Sequence, residues 1–598
     1  MPSTTSPNAR WLLRRPDPDA VRELARVHAL TSVTAGVLAL RGFAAGEPTR
    51  AHLEPRLAAL HDPKSLPGMR AATERLARAL KDRETILVHG DYDVDGVTGT
   101  TLLMRLFEKL GARAEWHIPN RFTDGYSFGA HSVTKARAVG ATLVISVDNG
   151  TSAGATIAEL AEHSIDTIVT DHHEPPEGPL PPAVAIVNPK LRDSAYPFRE
   201  LCGGAVAFKL AWGLAQELGG GTRAREDLRE FLVEAMGYVA IATVCDVVPL
   251  VDENRILAKH GLRALEFTQN VGLRALMRVA GLDGAKLEAD DVAFKIGPRI
   301  NAAGRLGSAQ KAVELLLARD ADTALAAARE LDRLNEERKA LERALLDDAL
   351  RAAEPFADPA EHPVLVLAGQ GWHQGVVGIV AARLVERFAR PALVIGLDGA
   401  HGRGSARSMP GFDVLEALSG GSAHMLRYGG HEQAAGCEVR AEDVAALRSS
   451  VCARAHTMLE RQGIDAPALC IDGELPFTQM TPELMRELDR LKPFGERNER
   501  PVFLSCGLRL PEPPRVVGSD GTHAQLRLRS GANELKAMAF GQAHRMGELR
   551  VGVDVHAVFT PKWNTWRGET KLEVELLDFK TGPRPQAVNT VPEQFFTR

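Results

Sequence analysis

Acidic side chains are concentrated in the segment HGDYDVDG, directly after the β-branched run TILVHG. Asp91, Asp93 and Asp95 fall within five residues there. Carboxylates held this close repel one another unless a cation neutralises them. Because the three acids alternate with other residues, an extended turn would point several of them the same way. The segment therefore predicts a metal-binding turn.

Three later segments place acids or histidines after apolar runs. Asp148 follows ATLVISV, the triplet Asp171-His172-His173 follows DTIVT, and Asp246 lies within ATVCDVVPL, where a buried acid needs a partner. A single Asp after a strand is commonly a helix N-cap, and a pair of histidines is commonly polar surface, but four such segments together favour metal chemistry. Carboxylate and imidazole ligands without thiolates suit Mn²⁺ or Mg²⁺ and tolerate Zn²⁺. Two such ions about 4 Å apart would clamp the attacking and leaving oxygens of a phosphoryl displacement.

Several glycine-containing segments carry candidate phosphate-binding groups, since small neighbours let a backbone approach a phosphate closely. Each has a simpler alternative: Arg121 and Arg299 in structural ion pairs, GRG as an ordinary turn, and His431 as a core histidine. The candidates are Arg121 and Tyr126 in IPNRFTDGYSFG, Arg299, Asn301 and Arg305 in GPRINAAGRLGSA, Arg403, Ser405, Arg407 and Ser408 in GRGSARS, and His431 in YGGHEQAAG.

Basic and aromatic residues are combined near the carboxyl end. Residues 515–571 contain nine Lys or Arg and five Asp or Glu, a local charge of +4 in a chain of net charge −5. PKWNTWRGETK adds Trp563 and Trp566 next to Lys562 and Arg567. Bases of a single nucleic-acid strand stack on such aromatics while cations follow the phosphates. The alternative is a solvated face with the tryptophans packed inward.

The surrounding pattern predicts an α/β protein. Short β-branched runs alternate with helical stretches after residue 84, which favours βαβ units and a parallel sheet. A long charged stretch without Gly or Pro predicts a connecting helix, a second strand–helix–strand pattern follows it, and short strands near the end predict a small β-barrel. We expect a helical segment (1–84), a parallel-sheet domain (85–320), a connecting helix (321–358), a second α/β domain (359–465), a barrel of the OB type (466–580) and a tail (581–598).

Composition limits the class of protein. The chain has 598 residues, of which 44% are apolar and 25% charged, so it is globular. The net charge of −5 excludes a uniformly basic nucleic-acid binder. Six cysteines without CxxC spacing make a disulfide framework and a cysteine-based zinc site unfavourable. Without a signal-like or membrane-length apolar run, the expectation is a soluble, cytoplasmic protein.

The motifs together resemble a known family. DYDVDG, the Asp of SVDNG, TDHH and the acid of CDVVPL match, in order, the four motifs of the DHH phosphoesterase superfamily, with no departure at a motif acid or histidine. GRGSARS and YGGHEQAAG resemble the DHHA1 domain that follows it. With the terminal barrel, the chain from about residue 85 to 580 is similar to the RecJ family of bacterial single-stranded-DNA-specific 5′→3′ exonucleases.

This resemblance implies specific roles. His89, Asp93 and Asp148 would hold one Mn²⁺ or Mg²⁺ ion, and Asp95, Asp148, His172 and Asp246 a second, with Asp91 as a further ligand. His173 would contact a metal ligand rather than an ion, or would orient the scissile phosphate. Arg121, Tyr126, Arg305, Ser405, Arg407 and His431 would bind the 5′ end and nearby phosphates. The implied role is DNA repair and recombination by a monomer without membrane association, with single-stranded-DNA-binding protein and a RecQ-type helicase as partners.

Two other functions stay open. A phosphoesterase of the same superfamily acting on short oligonucleotides or cyclic dinucleotides would be expected to be shorter and to lack the basic barrel. A non-catalytic replication scaffold would be expected to have broken metal motifs, whereas the motifs here are intact.

Overall fold

Two units, each with its own apolar core, make up the computed structural model. The structure describes residues 10–121, 124, 128–462, 468–518, 521–566 and 569–584, without the side chains of residues 462, 565 and 566. The first unit comprises residues 51–340 together with the short segment 492–499. The second unit comprises residues 1–50, 341–491 and 500–598.

The amino-terminal segment is not entirely helical. Strand β1 (Arg10–Leu13) precedes helices α1 (Pro18–His28) and α2 (Ser32–Leu40). β1 pairs in parallel with residues 468–471, and its buried Trp11 donates from Nε1 to the Asp578 carboxylate at 2.7 Å. β1 forms because it pairs with a segment more than 450 residues away, and the local sequence cannot predict such a partner. The predicted segment 1–84 is also divided between the two units near residue 50.

A five-stranded, fully parallel sheet organises the first unit. Its strand order is β3-β2-β4-β5-β6, so β2 and β4 lie next to each other at its centre. Val, Ile and Leu side chains of these strands are buried on both faces, as expected for a parallel sheet covered by helices. Helix α3 (Glu47–Leu53) spans the division between the units at residue 50. The elements that follow it are α4 (Met69–Lys81), β2 (Thr85–Gly90), α5 (Val94–Leu110), β3 (Arg113–His117), α6 (Ala130–Ala138), β4 (Leu143–Val147), α7 (Gly154–Glu162), β5 (Asp166–Thr170) and β6 (Ala185–Val187).

Helices complete the first unit. α5, α8 and α9 pack together against the sheet and share one large apolar core with the helices that follow. A π-helical turn, Val292–Ile296, separates α12 from α13. The helices are α8 (Gly203–Leu218), α9 (Glu226–Cys245), α10 (Asp252–Glu266), α11 (Val271–Val279), α12 (Ala289–Asp291), α13 (Gly297–Leu306) and α14 (Gln310–Leu317).

Residues 492–499, which we call the inserted hairpin, also belong to the first unit. The hairpin closes through the bridge between Gly495 and Asn498, and the backbone N–H of Leu250 donates to Glu496 O at 2.8 Å. Gly495 lies so close to Leu250 that a Cβ atom at residue 495 would be 2.6 Å from the Leu250 Cδ1. The hairpin therefore braces the loop that follows α9.

The long helix α15 (Ala321–Ala353) agrees with the predicted connecting helix. Its early residues Ala324 and Ala328 pack into the core of the first unit, and its late residues Leu345 and Ala349 pack into a core of the second. A five-stranded mixed sheet follows, with strand order β10-β11-β9-β8-β7. Its elements are β7 (Leu365–Gln370), α16 (Val377–Phe388), β8 (Ala392–Asp398), β9 (His401–Arg407), α17 (Val414–Ser419), β10 (Arg427–His431), β11 (Ala434–Arg440) and α18 (Val444–Gln462).

The carboxyl-terminal strands form a seven-stranded sheet with the order β13-β14-β18-β19-β17-β16-β15. Paired backbone hydrogen bonds between Arg509 and Arg529 join β16 back to the end of β14. Five strands therefore close into a barrel, as the sequence predicts. The elements are β12 (Ala468–Ile471), β13 (Gly473–Glu474), α19 (Pro482–Arg490), β14 (Phe503–Leu508), β15 (Arg515–Val517), β16 (His523–Ser530), β17 (Asn533–Ala539), β18 (Val555–Trp566) and β19 (Glu569–Thr581).

Within the described parts of the chain, no helix has both the length and the apolar character that crossing a membrane requires.

Candidate metal centre

Asp93 and Asp95 are held where β2 passes into α5. Asp93 is the N-cap of α5, and its Oδ1 accepts the backbone N–H groups of Asp95 and Gly96 at 2.9 and 3.2 Å. The buried Asp95 carboxylate accepts the N–H groups of Gly203 and Gly204 at 2.6 and 2.7 Å. These two donors form the first turn of α8, whose positive helix end favours a carboxylate. The metal-binding turn is thus fixed by two helix N-termini.

Asp148 occupies a strained position immediately after β4. Its φ angle of 63° lies in the left-handed region, which is uncommon for residues other than glycine. Its backbone N–H donates to Thr170 O at 2.9 Å, which fixes it against the neighbouring strand β5. Gly203 faces it so closely that a Cβ atom there would stand 2.5 Å from the Asp148 Cβ. The glycine at the start of α8 is therefore required for the placement of this carboxylate.

His172 lies among three carboxylates from three different elements. Its Nε2 is 3.1 Å from an oxygen of Asp148, 3.7 Å from Asp246 and 3.8 Å from Asp95. Asp246 is the C-cap of α9. The sheet edge thus brings together the four predicted segments.

Asp171 anchors the histidine pair. Its buried carboxylate accepts the backbone N–H groups of Thr151, His172 and His173, and the His173 Nδ1 at 2.7 Å. Burial opposes charge on both partners, but their mutual contact outweighs it: the pKa of Asp171 falls, and that of His173 rises to about 9. His173 is accordingly a cation at neutral pH, and Asp171 orients it.

The remaining acids are costly to charge without a counterion. Burial raises the pKa of Asp148 and Asp246 well above the usual range, and neighbouring carboxylates raise it further. Burial and Asp93 raise the pKa of Asp91 to about 8. Burial lowers the pKa of His172 to about 4, so its imidazole is neutral and able to act as a ligand.

The donor set fits divalent cations. Among the described residues, three groups of ligand atoms each lie within 4.8 Å of one another at this edge. Within the described part of the chain, the buried Oδ1 atoms of Asp91 and Asp148 accept no well-aligned hydrogen bond, although His172 Nε2 lies 3.1 Å from the Asp148 Oδ1. Such oxygens are suited to a cation. The groups are Asp91–Asp93–Asp148, Asp95–His172–Asp246 and Asp148–His172–His173.

His89 is placed differently from the expectation. Its ligand atom is grouped with those of His117 and His131, not with an acid. Its Nε2 lies 2.9 Å from Ser132 Oγ, and its buried Nδ1 has no hydrogen-bond partner in the described structure. Its role as a catalytic-metal ligand stays a prediction, for which Nδ1 is the free atom.

The phosphate-binding candidates of the first unit have different surroundings. Arg121 lies over the ring of Tyr92, with its Cζ 5.2 Å from the ring centroid, next to the acidic turn. Arg299 is held in an ion pair with Asp332 at 2.8 Å, which is the simpler alternative named above. Arg305 lies near enough to Tyr92 to act on its pKa. Asn301 is half-buried on α13, and Tyr126 lies outside the described residues.

In the second unit, β9 presents Arg403, Ser405 and Arg407 on one face. Arg407 Nη1 donates to Ser405 Oγ at 2.9 Å, and a Cβ atom at Gly378 would be 2.9 Å from Ser405 Oγ and 3.0 Å from Arg407 Nη2. Gly378 is in the first turn of α16, which has no side-chain cap. A hydroxyl, a guanidinium and a helix N-terminus thus meet, which is an arrangement suited to an anion. Arg403 is instead paired with Glu438 at 2.9 Å.

His431 and the barrel residues complete the predicted set. His431 lies on the exposed strand β10, so the core-histidine alternative is wrong. Lys562 Nζ is 3.2 Å from a Glu575 oxygen and 5.0 Å from the ring centroid of Phe540, an exposed aromatic that the sequence did not single out. Trp563 is half-buried on β18, and the side chain of Trp566 is outside the described set.

Comparisons with known proteins agree with this architecture. Family models match the chain as the DHH family N-terminal domain over residues 85–243, the DHHA1 domain over 361–457 and the RecJ OB domain over 471–578. The single-stranded-DNA-specific exonuclease RecJ of Bacillus subtilis is 36% identical over 95% of this chain and 70% of its own length. The chain belongs to the RecJ family of single-stranded-DNA-specific exonucleases. The RecJ of Thermus thermophilus is also 36% identical, over 92% of this chain and 74% of its own.

Solved RecJ structures support the same fold and a metal-dependent hydrolase. The crystal structure of Thermus thermophilus RecJ with Mn²⁺ has a TM-score of 0.79 and 34% identity, covering 97% of this chain and 80% of that one. The same protein with Mg²⁺ gives a TM-score of 0.74 and 33% identity, with 97% and 79% covered. Mn²⁺ and Mg²⁺ are the ions that the oxygen-rich donor set here favours.

Two functional features of this RecJ family member escaped sequence reasoning. The backbone donors of Gly203 and Gly204 hold Asp95, and the signal was the paired glycine of LCGGA at a helix start. Tyr92, between two of the motif acids, carries Arg121 on its ring. An aromatic next to an acidic turn could have indicated such a platform.

Metal binding is expected to stabilise the protein more at pH 8 than at pH 6. The raised pKa values mean that the folded apo-protein retains protons that the unfolded chain releases, so stability from these acids is lost as pH rises towards 8. Mn²⁺ removes the repulsion at the higher pH. The rise in melting temperature on replacing EDTA with Mn²⁺ is measured at both pH values. The rise should be larger at pH 8, and the Asp148→Asn substitution should make the two rises more similar. An equal Mn²⁺ effect at both would contradict the assigned pKa shifts.

Proposed function

We propose that this protein hydrolyses single-stranded DNA from its 5′ end with two Mn²⁺ or Mg²⁺ ions. The observation that carries the proposal is the shared geometry of the ligand groups. Asp148 is grouped with Asp91 and Asp93, and its Oδ1 also lies 3.1 Å from the Nε2 of His172, which is itself grouped with Asp95 and Asp246. A carboxylate between two groups of ligands suits a bridge between two ions.

The ligand assignment combines two of the groups with the roles that the family resemblance implies for His89 and for Asp148 as a bridge. Asp91, Asp93 and Asp148, with His89 through its free Nδ1, would hold one ion, and Asp95, Asp148, His172 and Asp246 the other. When bound, the ions lower the pKa of a water molecule and stabilise charge on the reacting phosphate. His173, kept protonated by Asp171, would donate a hydrogen bond to a phosphate oxygen.

The anion-binding arrangement of the second unit supports 5′-end recognition. Ser405, Arg407 and the N-terminus of α16 provide a hydroxyl, a guanidinium and backbone donors for a terminal phosphate. In the first unit, Arg121 on Tyr92 and Arg305 would bind phosphates of a DNA strand.

The proposal also covers the barrel, the cellular location and the protein partners. A single strand of DNA would bind to the barrel through Lys562, Trp563 and Phe540. We infer a cytoplasmic monomer, because the DNA substrate is cytoplasmic in the bacteria from which the relatives come. Single-stranded-DNA-binding protein and a RecQ-type helicase would supply such strands. Sedimentation tests the monomeric state, and co-purification tests the two partners.

A digestion assay tests the function. The substrates are 5′- and 3′-labelled single- and double-stranded DNA and RNA, each with Mn²⁺, Mg²⁺ or EDTA. We expect mononucleotides to be released from the 5′ end of single-stranded DNA only, and EDTA to stop the reaction. Release from the 3′ end, or a preference for dinucleotides over long strands, would overturn the proposal.

Arg407→Ala is expected to lower catalytic efficiency by roughly ten- to a hundredfold, because charge-assisted hydrogen bonds contribute about 1.5–3 kcal/mol. Arg407→Lys should recover little of this, since an ammonium lacks the two parallel donors of a guanidinium. The loss should be larger on 5′-phosphorylated than on 5′-hydroxyl strands. Steady-state kinetics on both substrates measures it, and equal losses would remove the end-recognition role.

Barrel substitutions should affect binding in two distinct ways. Lys562→Ala is expected to lower the slope of log affinity against log salt by about one, because one phosphate contact is lost. Trp563→Ala should weaken binding by about 1–3 kcal/mol through lost stacking, with little change in that slope. Lys580→Ala is the control, since its Nζ lies 4.5 Å from the ring centroid of Trp11. Fluorescence anisotropy across a salt series distinguishes these outcomes.

A further inference from the structure

Three histidines converge near the acidic turn, and two of them lie on elements that the motifs do not include. His89 is the penultimate residue of β2 and His117 the last residue of β3, and the parallel register pairs these two residues directly. His131 lies in the first turn of α6. The three ring centroids are 5.1, 5.4 and 5.6 Å apart, and His117 Nε2 lies 3.1 Å from His131 Nδ1. One nitrogen from each ring lies within 4.8 Å of the others.

The chemistry of this histidine cluster differs from that of the acidic centre. The three ligands are imidazole nitrogens, and the hydroxyl of Ser132 lies beside the His89 Nε2. Three histidine nitrogens with an open fourth position suit Zn²⁺ and bind Mg²⁺ and Mn²⁺ poorly.

His89 cannot serve both places at once. A neutral imidazole offers one lone pair, because its second nitrogen carries the proton. Its Nε2 faces Ser132 and the histidine cluster, and its buried Nδ1 is the atom free for the catalytic centre. An ion bound at Nε2 leaves the proton on Nδ1, which then cannot act as a ligand.

We propose that His89, His117 and His131 form a binding site for Zn²⁺, and that its occupation withdraws His89 from the catalytic centre and inhibits the enzyme. The site itself stands on the histidine geometry alone. Its inhibitory effect rests on the proposed function, in which His89 is a ligand of a catalytic ion. Zn²⁺ would thereby act as an inhibitor at a place distinct from the acidic ligands.

Cobalt binding tests the site without any measurement of activity. Full-length Asp148→Asn, in which the acidic centre is disabled, is titrated with Co²⁺ while the visible absorption of tetrahedral Co²⁺ is recorded. We expect one equivalent with these bands, displaced by Zn²⁺ and lost when His131→Ala is added. If His131→Ala lowers the melting temperature strongly, His117→Gln in the same background decides. The proposal would be wrong if the Asp148→Asn protein showed no such bands, or if the bands persisted after the histidine substitution. The three histidines would then be joined only by hydrogen bonds.

Zinc inhibition tests the consequence. The Mg²⁺-dependent nuclease rate is measured against Zn²⁺ concentration for the wild type, His131→Ala and the control His163→Ala, whose side chain is exposed at the end of α7. We expect the half-inhibiting Zn²⁺ concentration to rise at least about tenfold in His131→Ala alone. An equal value in all three would mean that Zn²⁺ acts at the acidic centre, and the inhibitory role would be wrong. If the wild type has no nuclease activity, the proposed function is wrong. The Co²⁺ titration still shows whether the three histidines bind a metal ion.

Discussion

Asp148→Asn is expected to lower the nuclease rate by at least a factor on the order of a thousand, with the fold retained. The substitution removes one negative charge from a carboxylate shared by two ligand groups, so both proposed ions lose affinity. The apo-protein should be as stable as the wild type or more stable, because a buried acid with a strongly raised pKa is replaced by a neutral amide. Single-turnover rates beside thermal melts in EDTA measure both effects.

The control for this variant is Asp193→Asn, which changes an exposed acid of the same unit. Its rate should match the wild type. A rate for Asp148→Asn within tenfold of the wild type would rule out the bridging role. A collapse of stability would show instead that Asp148 serves the fold.

Gly203→Ala should cost about a hundredfold in rate or more, although it changes no predicted ligand. The new methyl group would stand 2.5 Å from the Asp148 Cβ and 2.7 Å from its Oδ1, so either the carboxylate or the start of α8 must move. Movement of α8 also disturbs the N–H donors that hold Asp95. Displacements of about 1 Å in a catalytic centre have effects of this size.

Gly154→Ala is the matched control, because Gly154 is also the first residue of a helix in the same unit and has no atom within 4 Å of its Cβ position. It should leave the rate and the Mn²⁺ affinity unchanged. Isothermal titration with Mn²⁺ adds a second measurement, in which Gly203→Ala should bind more weakly. Wild-type affinity in Gly203→Ala would mean that the contact relaxes without moving Asp148.

The acidic part of the site was predictable because parallel strands end at one edge. Once β2, β4 and β5 are read as neighbouring strands, Asp91–Asp95, Asp148 and His172 must meet. Asp246 was predictable only as a buried acid needing a partner, because it comes from a helix end and not from the sheet. The alternation of strands and helices likewise predicted the parallel sheet, the long α15 and the terminal barrel.

The parts that were missed depend on distant contacts or on backbone atoms. Backbone N–H donors such as those of Gly203 leave no side-chain signal. Strand β1 forms because it meets β12 and because Trp11 reaches Asp578, both hundreds of residues away. His117 and His131 have no motif spacing, and only the β2–β3 register and the position of α6 bring them to His89. Arg299 forms an ion pair with Asp332, 33 residues further on, which local sequence could not show, and its role as a phosphate ligand stays a prediction.

The inserted hairpin has a consequence for cutting the chain. Residues 492–499 belong to the first unit but lie, in the sequence, between α19 and β14 of the second. A fragment that stops at residue 340 would lack Glu496, whose backbone oxygen accepts the hydrogen bond from the Leu250 N–H. Leu250 is only four residues after Asp246. The first unit is therefore complete only when translation has passed residue 499.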